Sequence, residues 1–342
     1  MYRPRSGFEW AFLGFTAAQA IGTTTLDLVV LLRYFSWINP VAYQVPSSYV
    51  VPVNFGLFVL GNVYLAGLAF DALRARNNLQ LFGICIFNVG VFVFSVMRYG
   101  QTSENADRLR TGYALGDRPF VDANLPFWSK IQAALIVSAI IVGVCMLSSW
   151  LLTFRLNREF AWAIYRHISG SLSVRRKYLT YQVLLVVIKL EVYFLIAFVV
   201  VYGLVDVHFE IPEFPLTIAI IPLLWIQVAM TIYFTKREHN LGAIAAIVLR
   251  IGEIAYLISR ILVLNDIPHS PRSSTLLKNE MLLFAGCSLT LATIACVNAT
   301  LCLFNFNRGL KPLLLDSGWK QGRYEFEPIH AQGRLSARLE LD

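Results

Sequence analysis

The feature that most limits what this chain can fold into is a series of eight apolar windows. Each is close to the length that crosses a bilayer. They cover 10–33, 50–70, 79–99, 130–153, 180–205, 214–234, 241–264 and 280–305. About 20 predominantly apolar residues make one transmembrane helix. Inside lipid the helix satisfies its own backbone hydrogen bonds. The chain therefore reads as all-α, a polytopic transmembrane helix bundle of eight spans, with seven as the alternative count. Composition agrees. Hydrophobic residues make up 57% of the 342 and charged residues 15%, where a soluble domain carries ~25% charged residues. Little chain remains for a soluble domain. The reading assigns 1–305 to the membrane bundle and 306–342 to a flexible cytoplasmic tail.

The net charge of +8 has a membrane explanation and needs no nucleic acid. Lys and Arg collect in cytoplasmic loops. With the N-terminus inside, the segments on that side hold 18 of the 29 basic residues, the other side and its edges hold 8, and three lie within windows. That asymmetry puts both termini in the cytosol and requires an even number of spans. It argues against a seven-helix receptor-like protein, which keeps its N-terminus outside. The first apolar run is full span length and lacks a small-residue cleavage pattern, so it reads as the first span. Cys85, Cys145, Cys287, Cys296 and Cys302 all fall in windows, which predicts free thiols rather than a disulfide framework.

Trp10, Trp37, Trp128 and Trp150 sit at window ends, as an aromatic belt requires. Trp225 is mid-window and is expected to pack against protein. Pro52, Pro215 and Pro222 predict first-turn prolines or kinks. In the loop 154–177, Leu156, Phe160, Ala163, Ile164 and Ile168 share one helical face flanked by Arg155, Arg158 and Arg166. This predicts an amphipathic helix along the cytoplasmic interface, broken at Ser169-Gly170-Ser171. Arg175, Arg176 and Lys177 then lead into the fifth span, where they would anchor it and contact anionic lipid headgroups. In the last window Ser288, Ala292, Cys296 and Thr300 form a small-residue ridge suited to close helix packing.

Three blocks carry a family likeness: RHISGSLSVRRKYLTYQ at 166–182, VIKLEVYF at 187–194 and FNFNRGLKP at 304–312. They resemble an uncharacterised fungal family of multi-pass Golgi apparatus membrane proteins. The resemblance implies a Golgi or other endomembrane location and supplies no catalytic residue.

Charge inside a span costs ~2.5–3.5 kcal/mol on insertion scales, so it marks a cavity or a protein contact. Six such residues stand out: Asp27, Lys189, Glu191, Arg250, Glu253 and Arg260. Spans 1, 5 and 7 run the same way, so depth can be compared at ~1.5 Å per residue. Matched depth and opposite sign pair Lys189 with Glu253, Glu191 with Arg250, and Asp27 with Arg260. Two functions fit. The groups could line a polar cavity that moves a small polar solute or ion. They could instead fix helix register in a non-enzymatic scaffold or membrane-traffic protein. The partners expected are the lipid bilayer, anionic headgroups and such a solute. Asp206, His208, Glu210 and Glu213, with Asp266 and His269, offer oxygen and imidazole ligands, but a solvated acidic loop explains them, so no metal is assigned. No His-Glu-x-x-His motif, phosphate loop or nucleophile elbow is present. No enzyme and no cofactor are expected.

Overall fold

In the computed structural model, residues 4, 6–114, 118–122, 125–167, 172–207, 211, 213–265 and 277–306 are described. Among them eight helical segments are long and apolar enough to cross a membrane. The first is α1 (Gly7–Trp37), followed by α2 (Val50–Ala75), α3 (Asn78–Thr111), α4 (Phe127–His167) and α5 (Leu172–Val201). A π-helical stretch, Tyr202–Val207, continues α5. The sixth span is split into α6 (Glu213–Ile218) and α7 (Ile220–Arg237), and α8 (Asn240–Leu264) and α9 (Lys278–Phe304) complete the set. The eight-span reading stands over the seven-span one.

Two tight helical hairpins are built alike. Arg76, with φ 49°, ends α2 in the left-handed region, and Asn77 then caps α3 by accepting from the Leu79 and Gln80 amides. Glu238, with φ 53°, ends α7, and the His239 ring caps α8 by accepting from the Gly242 amide at 3.1 Å. A left-handed residue releases the last carbonyls of one helix, and a capping side chain satisfies the first amides of the next. Pro52 and Pro222 lie in the first turns of α2 and α7, where their missing N–H groups cost nothing. Span 6 breaks at Ala219, between Pro215 and Pro222.

The helix α5 is the hub. In its apolar window 72% of residues are buried, against 22% for the sixth span at the rim. It packs most extensively on α9, and also meets α2, α3 and α7. The helices α1, α2, α3 and α4 form one packed group, and α7, α8 and α9 form another. Where α5 crosses α3, a Cβ added to Gly90 would sit 2.9 Å from the Phe194 ring, so only glycine allows this approach. Around the crossing, Phe87, Tyr193, Phe194, Phe284, Phe94 and Phe58 form a run of edge-to-face contacts, the geometry aromatic quadrupoles favour.

Several expectations change. The predicted interfacial helix is not a separate element: α4 continues without a break from Phe127 to His167. Its Leu156 and Phe160 are buried against the bundle. Leu156 and Phe160 continue the inner face of the span; the side chains of 161–167 and residues 168–171 lie outside the described ones. The helix α3 extends to Thr111, Tyr113–Ala114 pairs with Arg118–Pro119, and Val121 bridges to Ile38. Trp37 stacks flat on Phe127 at 4.4 Å across this join. Trp225 is 54% exposed and faces outward, because the buried stripe of α7 runs through Leu224, Gln227, Thr231 and Thr235. On α9 the buried small residues are Ala285, Ser288, Ala292, Ala295, Ala299 and Cys302. Steps of four drift ~40° each at 100° per residue, so alternating steps of four and three keep the face on α5. The cysteines are free thiols. The tail 307–342 lies outside the described residues.

Candidate functional site

Ionisable side chains within the spans gather at three places. The first lies between α5, α7 and α8. Arg250 Nη1 donates to Glu191 Oε2 and lies 3.6 Å from Glu253 Oε2. Gln227 Nε2 donates to that same Glu253 oxygen at 2.5 Å. Arg250 and Glu253 are one turn apart, so helix geometry puts them on one face. Glu191 reaches them because it points away from Lys189, two residues earlier. Glu191 and Arg250 are essentially fully buried. Three atoms here, Glu191 Oε1, Glu253 Oε1 and Arg250 Nη2, have no hydrogen-bond partner. The place therefore holds two carboxyls, one guanidinium and spare polar valence in an apolar setting.

The second place lies between α1, α2, α3 and α9. Arg98 grips Asp27 with both terminal nitrogens, at 2.5 and 2.6 Å. The guanidinium lies over the Phe58 ring at 4.1 Å. A small cleft lies beside this pair, lined by Asn54 and Thr102 among others. Asn54 also donates to Glu280 Oε1 at 3.3 Å. The third place is at the α2–α3 hairpin, where Lys189 Nζ donates to Asp71 Oδ2 at 2.5 Å and to Gln80 Oε1 at 3.3 Å. Gln80 Nε2 closes the triangle on Asp71 at 2.9 Å.

Of the three pairings expected from matched depth, Glu191 with Arg250 is present. Lys189 instead takes Asp71, and Glu253 takes Gln227 with Arg250. Asp27 takes Arg98. Arg260 donates to the Tyr202 hydroxyl at 2.9 Å and lies near the faces of Tyr202 and Tyr256, a cation–π setting. The physical reason is lateral order. Equal depth says nothing about which helices touch, and α1 packs on α2 and α4. The charges that won, Asp71 and Arg98, sit at the ends of their apolar windows, where sequence reading assigns them to the rim.

Uncharged polar residues were missed altogether. Gln19 Nε2 donates to Asn62 Oδ1 and Asn88 Oδ1, each at 2.9 Å, and Asn88 Nδ2 donates back at 3.2 Å. This buried amide knot joins α1, α2 and α3. A signal existed: Gln19, Thr23 and Asp27 recur every four residues on one face of α1, and all are buried.

At the start of the fifth span, Arg176 is exposed and Lys177 half-buried in the first turns of α5. Arg175 belongs to the same helix, and its side chain lies outside the described ones. His208, Glu210, Asp266 and His269 also lie outside the described residues. Among the described residues no group of three acidic, His or Cys side chains converges as a metal site would require.

No family model matches the chain, and no solved structure matches it. A curated protein does. Over 274 residues, 76% of this chain and 77% of the relative, it is 22% identical to a UPF0658 Golgi apparatus membrane protein of the fission yeast Schizosaccharomyces pombe. The likeness drawn from the three sequence blocks thus extends through most of both chains. The eight apolar helices and this relative together identify a multi-pass membrane protein similar to the uncharacterised UPF0658 Golgi apparatus membrane proteins.

Proposed function

We propose that the chain is a non-enzymatic carrier of the Golgi membrane that moves a small polar solute or ion with a proton, both termini facing the cytosol. The observation that supports this is the place between α5, α7 and α8. Glu191 and Glu253 share one guanidinium, away from water, with three polar atoms free to take a further partner. Two carboxyls share one guanidinium, so the set holds one acid in excess of its base. Ionisable groups inside spans commonly mark ion and proton routes. Gln227 keeps Glu253 turned towards Arg250, so binding at Glu191 would be felt on α7 and α8. The basic start of α5 would hold anionic headgroups on the cytosolic side.

The test is reconstitution into liposomes containing a pH-sensitive dye, with sugars, amino acids and inorganic cations offered in turn. The expected result is proton movement that depends on one solute and is lost in Glu253→Gln, while that variant still elutes as a folded species. Absence of solute-dependent proton movement across the panel would reject the carrier reading.

One observation favours a second reading. The cleft beside Asp27 and Arg98 has about 10 Å³ of room, on the scale of a single water, far below the ~300–1,000 Å³ usual for ligand pockets. Closed packing suits a scaffold or trafficking protein whose charges fix helix register. In that case Glu253→Gln would change stability and leave vesicle ion and solute profiles alone.

A further inference from the structure

Glu280 stands at the start of α9, in its first turn, and its side chain is completely buried. Its Oε1 accepts one long hydrogen bond, 3.3 Å, from Asn54 Nδ2. Its Oε2 has no partner. Among the described residues the cation that acts on it is Arg98, but both terminal nitrogens of Arg98 are taken by Asp27. The same region thus holds Asp27, Glu280 and one guanidinium. A fully buried carboxylate whose nearby guanidinium is already committed to another acid is unfavourable, and the usual escape is to bind a proton. Asn54 faces both ways. Its amide holds Glu280, and its side chain also lines the cleft that borders Asp27, Arg98 and Thr102.

We propose that Glu280 is a proton-exchange site, neutral in this closed arrangement, which releases its proton to water through the Asn54-lined cleft. The transfer breaks the Glu280 O–H bond and leaves a carboxylate, the proton passing to water. The Arg98–Asp27 pair supplies the field that the carboxylate would then meet. Among the described residues, other ionisable groups around Glu280 are few. From α5, Tyr193 lies within electrostatic reach, with its hydroxyl donating to the Leu57 carbonyl. On its own helix Lys278 is two residues away, and beyond Leu277 the far end of α3 carries the exposed Glu104–Arg108 pair. This site is separate from Glu191 and Glu253, and it stands whether or not a solute is carried.

The test is infrared spectroscopy of the full chain in lipid nanodiscs, read in the C=O stretch of protonated carboxyls. The expected result is a band at neutral pH that shifts in D2O and is missing from Glu280→Gln. Asn54→Leu should shift that band by removing its hydrogen bond. A spectrum unchanged by Glu280→Gln would overturn the proposal. So would a Glu280→Gln chain that fails to fold, because the amide reproduces the shape of the neutral acid. Loss of the band on adding sodium chloride at fixed pH, with N-methylglucamine chloride without effect, would make the ligand a metal cation and also refute it. The carrier reading is probed by Glu253→Gln instead, so each can fail alone.

Discussion

The ion pair between α1 and α3 allows a sharp test of how this bundle is held together. Arg98→Leu removes a guanidinium that makes two short bonds to Asp27 and covers Phe58. The carboxylate left behind is buried. Removing one partner of a buried pair costs ~3–5 kcal/mol, and the lost cation–π contact adds about 1 kcal/mol. The single variant should therefore lose about 4–6 kcal/mol, a large share of the ~5–15 kcal/mol of an ordinary domain. Adding Asp27→Leu removes the stranded charge. Replacing both members of a buried pair by apolar residues is often neutral or stabilising, so the double variant should recover most of the loss. The assay is equilibrium unfolding in mixed micelles of a mild detergent and SDS, followed by tryptophan fluorescence and analysed as a double-mutant cycle. Asp27→Leu combined with Arg260→Leu serves as the control, and its two effects should add. A coupling energy near zero for Asp27 with Arg98, or a large one for Asp27 with Arg260, would refute the assignment.

Three further outcomes follow from the geometry. Lys189→Met or Asp71→Asn should cost no more than ~1 kcal/mol in the same assay, since both side chains are more than a third exposed and such pairs contribute little. Gly90→Ala should destabilise by ~1–3 kcal/mol, because its Cβ would crowd the Phe194 ring at 2.9 Å in a packed interior; Phe194→Leu should relieve part of that in the double variant. His239→Ala should cost ~1 kcal/mol by removing the cap of α8, whereas His239→Asn should largely keep stability, both read by the midpoint of thermal unfolding.

Span number and rough position were legible because a 20-residue apolar run has one stable solution in lipid. The ends were less so. Hydropathy falls at residue 153, yet the apolar stripe through Leu156 and Phe160 continues the inner face of α4, and a helix stops only where its hydrogen bonds stop. The charged residues were legible one by one, their partners only where two helices happen to touch. Glu191 and Arg250 met; Asp27 and Lys189 found Arg98 and Asp71, which window-based reading leaves at the edges. Glu280 is the first residue of its window, a place where hydropathy carries no sign of burial, although it is completely buried. Trp225 shows the converse. Depth in a span does not decide whether a side chain meets protein or lipid; the angular position around the helix does, and α7 turns its Gln227 stripe inward.

The buried polar contacts also set a timetable for making the protein. Asp27 is synthesised 71 residues before Arg98, Asp71 118 before Lys189, Glu191 59 before Arg250, and Asn54 226 before Glu280. In each case an early helix carries a polar group whose partner has not yet left the ribosome. At ~5–20 residues per second, Asp27 waits roughly 4–14 s. During that wait the lipid interior offers nothing to bind it. Each early span must therefore stay where water or the insertion machinery can solvate its polar face, and it becomes lipid-compatible only when a later helix arrives. A ribosome halted between Glu191 and Arg250 leaves α5, the hub, with a buried carboxyl and no counter-charge. Quality control that reads intramembrane charge would recognise such a chain as unfinished.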